Sequence, residues 1–212
     1  MNHRKNDPRR EVRTISGVEL RVTREEGKPV HLRGHAAVFN QIGDGRWFLE
    51  KIAPGAFADS IPVDDVRALF NHDANYVLGR NKAKPLSTLE LSEDSTGLLS
   101  DISAPDTQLI RDMVISPVER GDISQMSFAF ETLEDHWEYG KNNEPDIRTL
   151  VKVKLYDVSI VTYPFYEGTD VAVRSHDQWR TVAEPKAPWR RELLRRRIKI
   201  FDMAAGKISQ GG

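Results

Sequence analysis

The sequence predicts a mainly β fold with a few peripheral helices, and three observations carry that expectation. Several short runs alternate apolar and polar residues at the period of a strand, as in Val18-Glu19-Leu20-Arg21-Val22 and Val151-Lys152-Val153-Lys154-Leu155. Two further runs, Leu89-Glu90-Leu91 and Leu98 to Ile102, flank Ser95-Thr96-Gly97, which reads as a hairpin turn. In the first 176 residues, helical spacing is confined to one stretch of any length, Leu109, Ile110, Met113 and Val114.

In chain order, Val18 to Val22 predicts the first strand and Leu32 to Phe39 the second. Gly43-Asp44-Gly45 reads as a turn, after which Trp47-Phe48-Leu49 returns to the sheet. Pro54 to Ser60 predicts a single helical turn, because proline is pre-set for the first helical position. Asp65 to His72 alternates as a strand, and the hairpin described above follows. Asp106 or Thr107 caps the helix, which ends between Pro117 and Gly121. Two strands, around Gln125 to Glu131 and Val151 to Asp157, are separated by the polar loop Lys141 to Pro145. There is no internal repeat.

At 212 residues, with 39% hydrophobic and 30% charged, the chain has enough apolar material for one medium-sized core with well-solvated margins. The expected division is a flexible N-terminal tail over 1–16, a domain over 17–176 and a basic C-terminal tail over 177–212. The absence of cysteine excludes disulfides, thiolate nucleophiles and Cys-based zinc sites. Residues 1–7 precede no apolar core, so no signal peptide is expected, and no run approaches the ~18 apolar residues that span a membrane. Residues 178–212 carry nine Lys/Arg against three acids, +6, which leaves −7 for the rest of a chain of net charge −1. Ala183-Glu184-Pro185-Lys186-Ala187-Pro188 reads as a linker, and Trp189 to Met203 as a short basic amphipathic helix. Nucleic-acid binding, docking onto an acidic scaffold or capsid partner, and a merely solvated tail all fit that charge.

Ser127 is the residue that points to chemistry. In Gln125-Met126-Ser127-Phe128-Ala129-Phe130-Glu131, Met126, Phe128 and Phe130 share one strand face, and Ser127 lies on the other between Gln125 and Ala129. These neighbours are small or polar, which leaves room for another molecule to approach the hydroxyl. His72 ends the apolar row Val66, Ala68, Phe70, as a rim histidine or as a general base at a sheet edge. Asp157 continues the row Val151, Val153, Leu155, where a carboxylate needs a partner, either a salt bridge or an imidazole that it orients. A hydroxyl, an imidazole and a carboxylate together make a hydrolytic triad, recognised by geometry rather than chain order.

From Gly34 to Arg174 the chain resembles the prohead (capsid maturation) proteases of tailed phages, whose fold is akin to herpesvirus assemblins. The matching pieces run in order: Gly34-His35-Ala36-Ala37-Val38-Phe39-Asn40, Ile52-Ala53-Pro54-Gly55-Ala56-Phe57, and Leu69-Phe70-Asn71-His72-Asp73 followed by Leu78-Gly79. Gly121 to Phe130 and Leu155-Tyr156-Asp157-Val158-Ser159-Ile160-Val161-Thr162-Tyr163-Pro164 complete them. The resemblance implies a closed or nearly closed antiparallel barrel with peripheral helices. It implies a serine endopeptidase with Ser127 as nucleophile, His72 as base and Asp157 as third member, where the family often carries Glu. The implied substrates are the major capsid protein, the scaffold and the enzyme itself, inside an assembling prohead in the bacterial host cytoplasm. A homo-oligomer, such as a dimer, is expected; no cofactor, metal or membrane is, and nucleic acid is not an expected partner. The alternatives are an inactive capsid-assembly or scaffold-binding module and a nucleic-acid-associated protein acting through its basic tail.

Other candidates are weaker. His31 and His35 have the spacing of a zinc-protease helix, but Leu32 stands where the essential Glu belongs and the flanks read as strand. Ser124 sits at a strand entrance, suited to a turn. His136 is expected on a loop or rim, Asp73 to point away from His72, and no phosphate-loop spacing occurs.

Overall fold

In the computed structural model, residues 9–15, 20–44, 48–140 and 144–163 are described, all within the first of two units into which the chain divides, 1–173 and 174–212. The expected linker and amphipathic helix of the C-terminal tail therefore lie outside the described residues. The strands are β1 (Glu11–Ile15), β2 (Arg21–Thr23), β3 (His31–Val38), β4 (Gly43–Asp44), β5 (Leu49–Ile52), β6 (Arg67–Phe70), β7 (Asp73–Arg80), β8 (Leu89–Glu93), β9 (Gly97–Ser103), β10 (Gln125–Glu138) and β11 (Ile147–Val161). Among the described residues, helix is confined to α1 (Ser60–Val63) and to a run of α2 (Gln108–Ile110), a π turn (Arg111–Ile115) and α3 (Ser116–Glu119). Thr107 caps that run, its Oγ1 accepting from the Ile110 amide at 3.3 Å.

The fold is mainly β with peripheral helices, but the strands form two sheets rather than a closed barrel. One sheet runs β1-β10-β11-β5-β4, with β6 also on β11 and β7 on β6; the other runs β2-β3-β9-β8. Among the described residues no ladder joins their edges. The two sheets bury Met126, Phe128, Phe130, Val158 and Ile160 of the first against Leu32, Ala36, Leu98 and Ile102 of the second, all fully buried. Phe128 anchors this core, stacked on Phe130 at 4.9 Å and edge-on to Phe57 at 5.5 Å.

β11 positions the rest. Its free edge pairs in parallel first with β5 (Ile147 to Leu150) and later with β6 (Asp157 to Ile160). The chain from Ala53 to Ser60 bridges the gap: Ala56 carbonyl accepts from the Val153 amide at 3.1 Å and Ser60 Oγ from the Leu155 amide at 2.8 Å. Both bonds give β11 amides between its two parallel partners an acceptor. The predicted helical turn at Pro54 to Ser60 is a series of turns, and α1 begins only at Ser60. Gly43–Asp44, expected as a turn, pairs with β5 as a short edge strand. His136, expected on a loop or rim, lies within β10 and is exposed there.

Glu11–Ile15, which the sequence reading leaves in the N-terminal tail, forms β1 along β10 with Thr14 opposite Ser127. Its inward side is charged. Glu11 is fully buried and accepts from Arg148 at 2.8 Å; Arg13 donates to Glu50 at 2.5 and 3.0 Å; Arg148 also reaches Glu50 at 3.0 Å and Asp135 at 2.8 Å. Burial pushes the Glu11 carboxyl up, but the charges of Arg148 and Arg13 outweigh it and hold it below its usual range. Removing one member of such a network strands its partners. Arg148→Met is expected to cost about 3–5 kcal/mol, read from the urea midpoint at constant slope. A loss under about 1 kcal/mol would show that Arg13 alone suffices for both glutamates.

Candidate active site

The three predicted residues meet. His72 Nε2 lies 2.7 Å from Ser127 Oγ, and His72 Nδ1 lies 2.5 Å from Asp157 Oδ1. Each reaches that point by a different local device.

Ser127 is placed by simple alternation: Met126 and Phe128 go into the core, and the hydroxyl emerges on the opposite face of β10. Asp157 is placed by a bulge. Phe130 pairs with Leu155 but Ala129 pairs with Asp157, so Tyr156 is an extra residue in β11. The strand's faces exchange there. Asp157 does not continue the inward row of Val153 and Leu155, as alternation predicts; Val158 takes the core side, and Asp157 joins Ser159 and Ser127 on the site face. His72 is placed by a turn. Asn71 and His72 have φ of 53° and 55° and connect β6 to β7 across the pair Phe70 and Asp73. Two successive positive φ values are what a two-residue hairpin of type I′ requires. His72 is therefore not the next member of the Val66, Ala68, Phe70 row. The Asn71 amide donates to the Ile160 carbonyl at 2.9 Å, and its side chain accepts from the Thr162 amide at 3.0 Å, fixing the turn to β11.

Burial alone would raise the Asp157 carboxyl, but the hydrogen bond and charge of His72, with Arg10, outweigh it and hold it below the usual carboxylate range. Oδ1 accepts from Ser159 Oγ at 2.9 Å, and Oδ2 from the Arg10 guanidinium at 3.0 Å. A carboxylate with these partners keeps the His72 Nδ1–H directed at itself, so Nε2 faces the serine as an acceptor. Ser127 is fully buried, and its hydroxyl is also 2.8 Å from the Arg13 carbonyl oxygen.

Ser159, Arg10 and Arg13 escape the sequence reading. The signal for Ser159 is present: two residues beyond Asp157 on a strand is the same face. Nothing in the sequence marks Arg10. The weaker candidates separate from the site. Ser124 is exposed ahead of β10, and Asp73 accepts from the Asn75 amide at 2.9 Å. His31 and His35 lie on β3 and pair with separate carboxylates, Asp101 at 2.6 Å and Asp94 at 2.8 Å.

A hydroxyl, an imidazole and a carboxylate aligned in this order are the arrangement of hydrolases that attack through a serine oxygen. The chain matches the family of caudovirus prohead serine proteases over residues 17–183 and belongs to that family. It is a serine protease of phage capsid maturation. No curated protein matches the sequence. Among solved structures, that of the bacteriophage T4 capsid assembly protease, gp21, is similar over 73% of this chain and 99% of that one, at 10% identity and a TM-score of 0.42. Among the described residues, no helix is long and apolar enough to cross a membrane.

Proposed function

We propose that the protein is an endopeptidase in which Ser127 is the nucleophile, His72 the general base and Asp157 the residue that orients it. The observation that carries this reading is the continuous line from Ser127 Oγ through both ring nitrogens of His72 to Asp157, at 2.7 and 2.5 Å. Ser127 Oγ attacks the scissile carbonyl carbon while its proton passes to His72 Nε2. As the tetrahedral intermediate collapses, the carbon–nitrogen bond breaks and Nε2 returns the proton to the leaving amine. A water molecule, deprotonated by His72, then attacks the acyl ester, and Ser127 recovers its hydrogen. Asp157 stabilises the imidazolium in both halves.

The substrates are the major capsid protein, the scaffold and the enzyme itself, cut inside the assembling prohead. Incubating the protein with its capsid precursor and following size on a gel tests this. Discrete fragments made by the wild type but not by a Ser127→Ala protein support it, and identical fragments from both would remove Ser127 from the chemistry.

The charge division, +6 over residues 178–212 against −7 before them, supports a docking role for the basic tail. A chain ending at Ala183 is expected to cut a supplied capsid substrate yet to be left out of proheads. Normal packaging of the shortened chain, measured by mass spectrometry of purified particles, would rule out docking through the tail.

A further inference from the structure

We propose that Ser159 is a positioning residue of the triad: its hydroxyl holds the Asp157 carboxylate and the His72 ring against each other, so that Nε2 stays aimed at Ser127 throughout the proton transfer. This rests on Ser127, His72 and Asp157 acting as nucleophile, base and orienter. Three observations carry it.

The first is where the strands put the side chain. Ser159 follows Asp157 by two residues on β11, so the two share a face. Its register partner on β10 is Ser127, and on β6 it is Leu69. β11 is paired along both edges at this point, and the hydroxyl projects from a backbone held on both sides. His72 comes instead from the Asn71-His72 turn. Its ring bridges the two opposed serines, with Nε2 2.7 Å from Ser127 Oγ and Nδ1 3.1 Å from Ser159 Oγ. A ring delivered by a turn takes its orientation from the sheet beside it.

The second is where the hydrogens go. Ser159 Oγ is 2.9 Å from Asp157 Oδ1 as well as 3.1 Å from His72 Nδ1. With Nδ1 protonated, as the reaction requires, that nitrogen has no lone pair to offer, so the single hydroxyl hydrogen goes to Oδ1. Oδ1 then receives both the His72 N–H and the Ser159 O–H, and an Oγ lone pair faces the same N–H as a second acceptor. The terminal torsion of an aspartate is otherwise broad. Here Ser159 fixes Oδ1 from within the sheet while Arg10 holds Oδ2. When Nε2 takes the Ser127 proton, the imidazolium and the carboxylate are already placed, and neither has to turn.

The third is burial. Ser159 and its neighbours Val158 and Ile160 have no exposed surface. A hydroxyl in such surroundings is costly unless it is bonded, and both of its partners belong to the triad. An alanine would fill the same backbone position. The space it freed, one oxygen, is too small for a water to replace the donor to Oδ1.

Steady-state cleavage of capsid precursor by the full chain tests this. Ser159→Ala is expected to lower kcat by about tenfold to a hundredfold, the range covered by a hydrogen bond to a charged group. KM should change by less than about twofold, because the bond serves the transition state rather than substrate binding. A kcat within about threefold of the wild type would overturn the proposal. The isosteric pair Ser159→Thr and Ser159→Val separates the hydroxyl from packing, since both add the same bulk to the strand. The threonine protein should be at least about tenfold faster, and equal rates would again overturn the proposal.

A double-mutant cycle shows what the hydroxyl acts through. In an Asp157→Asn protein, the further change Ser159→Ala should cost less than about threefold, because the carboxylate it positions is gone. The full loss in that background would mean that Ser159 does not work through Asp157, and would overturn the proposal. Failure of the triad itself is read separately: capsid precursor cut by Ser127→Ala as fast as by the wild type would remove the reading on which Ser159 depends.

Discussion

Ser127→Ala and His72→Asn proteins are expected to fold and to lose cleavage, each by a factor on the order of 10⁶ in kcat, as when a serine protease loses its nucleophile or base. The two losses should not add, because the proton transfer needs both groups at once. Asparagine is the informative replacement for His72. The position has φ of 55°, where alanine would pay for a left-handed backbone and asparagine is at ease, so the hairpin turn survives while the base is removed. Ser127→Ala removes a hydroxyl from a site with no exposed surface and leaves the Arg13 carbonyl without that donor, a cost of about 1–3 kcal/mol. The urea midpoint should therefore fall without loss of the cooperative transition. Ser124→Ala, at an exposed position before β10, should cut at close to the wild-type rate. Capsid precursor processed at the wild-type rate by a folded Ser127→Ala protein would dismiss the assignment.

What the sequence makes legible follows from how regular the local structure is. β10 is regular around Ser127, so counting by twos puts Met126, Phe128 and Phe130 in the core and the serine outside it. The hairpin of β8 and β9 is equally regular, its turn closed by Asp94 accepting from the amides of Thr96 and Gly97. Counting fails where one residue is added or the backbone reverses. The bulge at Tyr156 moves Asp157 to the site face, and the Asn71-His72 turn takes His72 off its strand row. Both residues were identifiable as candidates, but for reasons of alternation that the structure replaces. β1 is hidden for a different reason. Glu11-Val12-Arg13-Thr14-Ile15 does alternate, but its charged side chains point inward to Glu50 and Arg148, partners distant in sequence. Hydrophobic periodicity has no means of seeing a strand whose buried face is ionic.

Asp157→Asn is expected to lower the rate about 10⁴-fold, as losing the orienting carboxylate of a serine triad does, with little change in KM. The surroundings of Asp157 give the reason in this protein. Arg10 presents only donors to Oδ2, so an asparagine must turn its carbonyl oxygen to Arg10 and its amide nitrogen to His72. The amide then donates to Nδ1, the ring's own hydrogen moves to Nε2, and Nε2 loses the lone pair that would receive the Ser127 proton. Asp157→Glu keeps the charge and the acceptor. One added methylene beside the bulge at Tyr156 is expected to leave at least about a tenth of the rate, a barrier change near 1.4 kcal/mol. Single-turnover cleavage of capsid precursor by the two variants separates orientation from mere pairing. An Asp157→Asn enzyme that kept more than about a tenth of the wild-type rate would make Asp157 the counter-ion of Arg10, holding β1 in place rather than steering the imidazole.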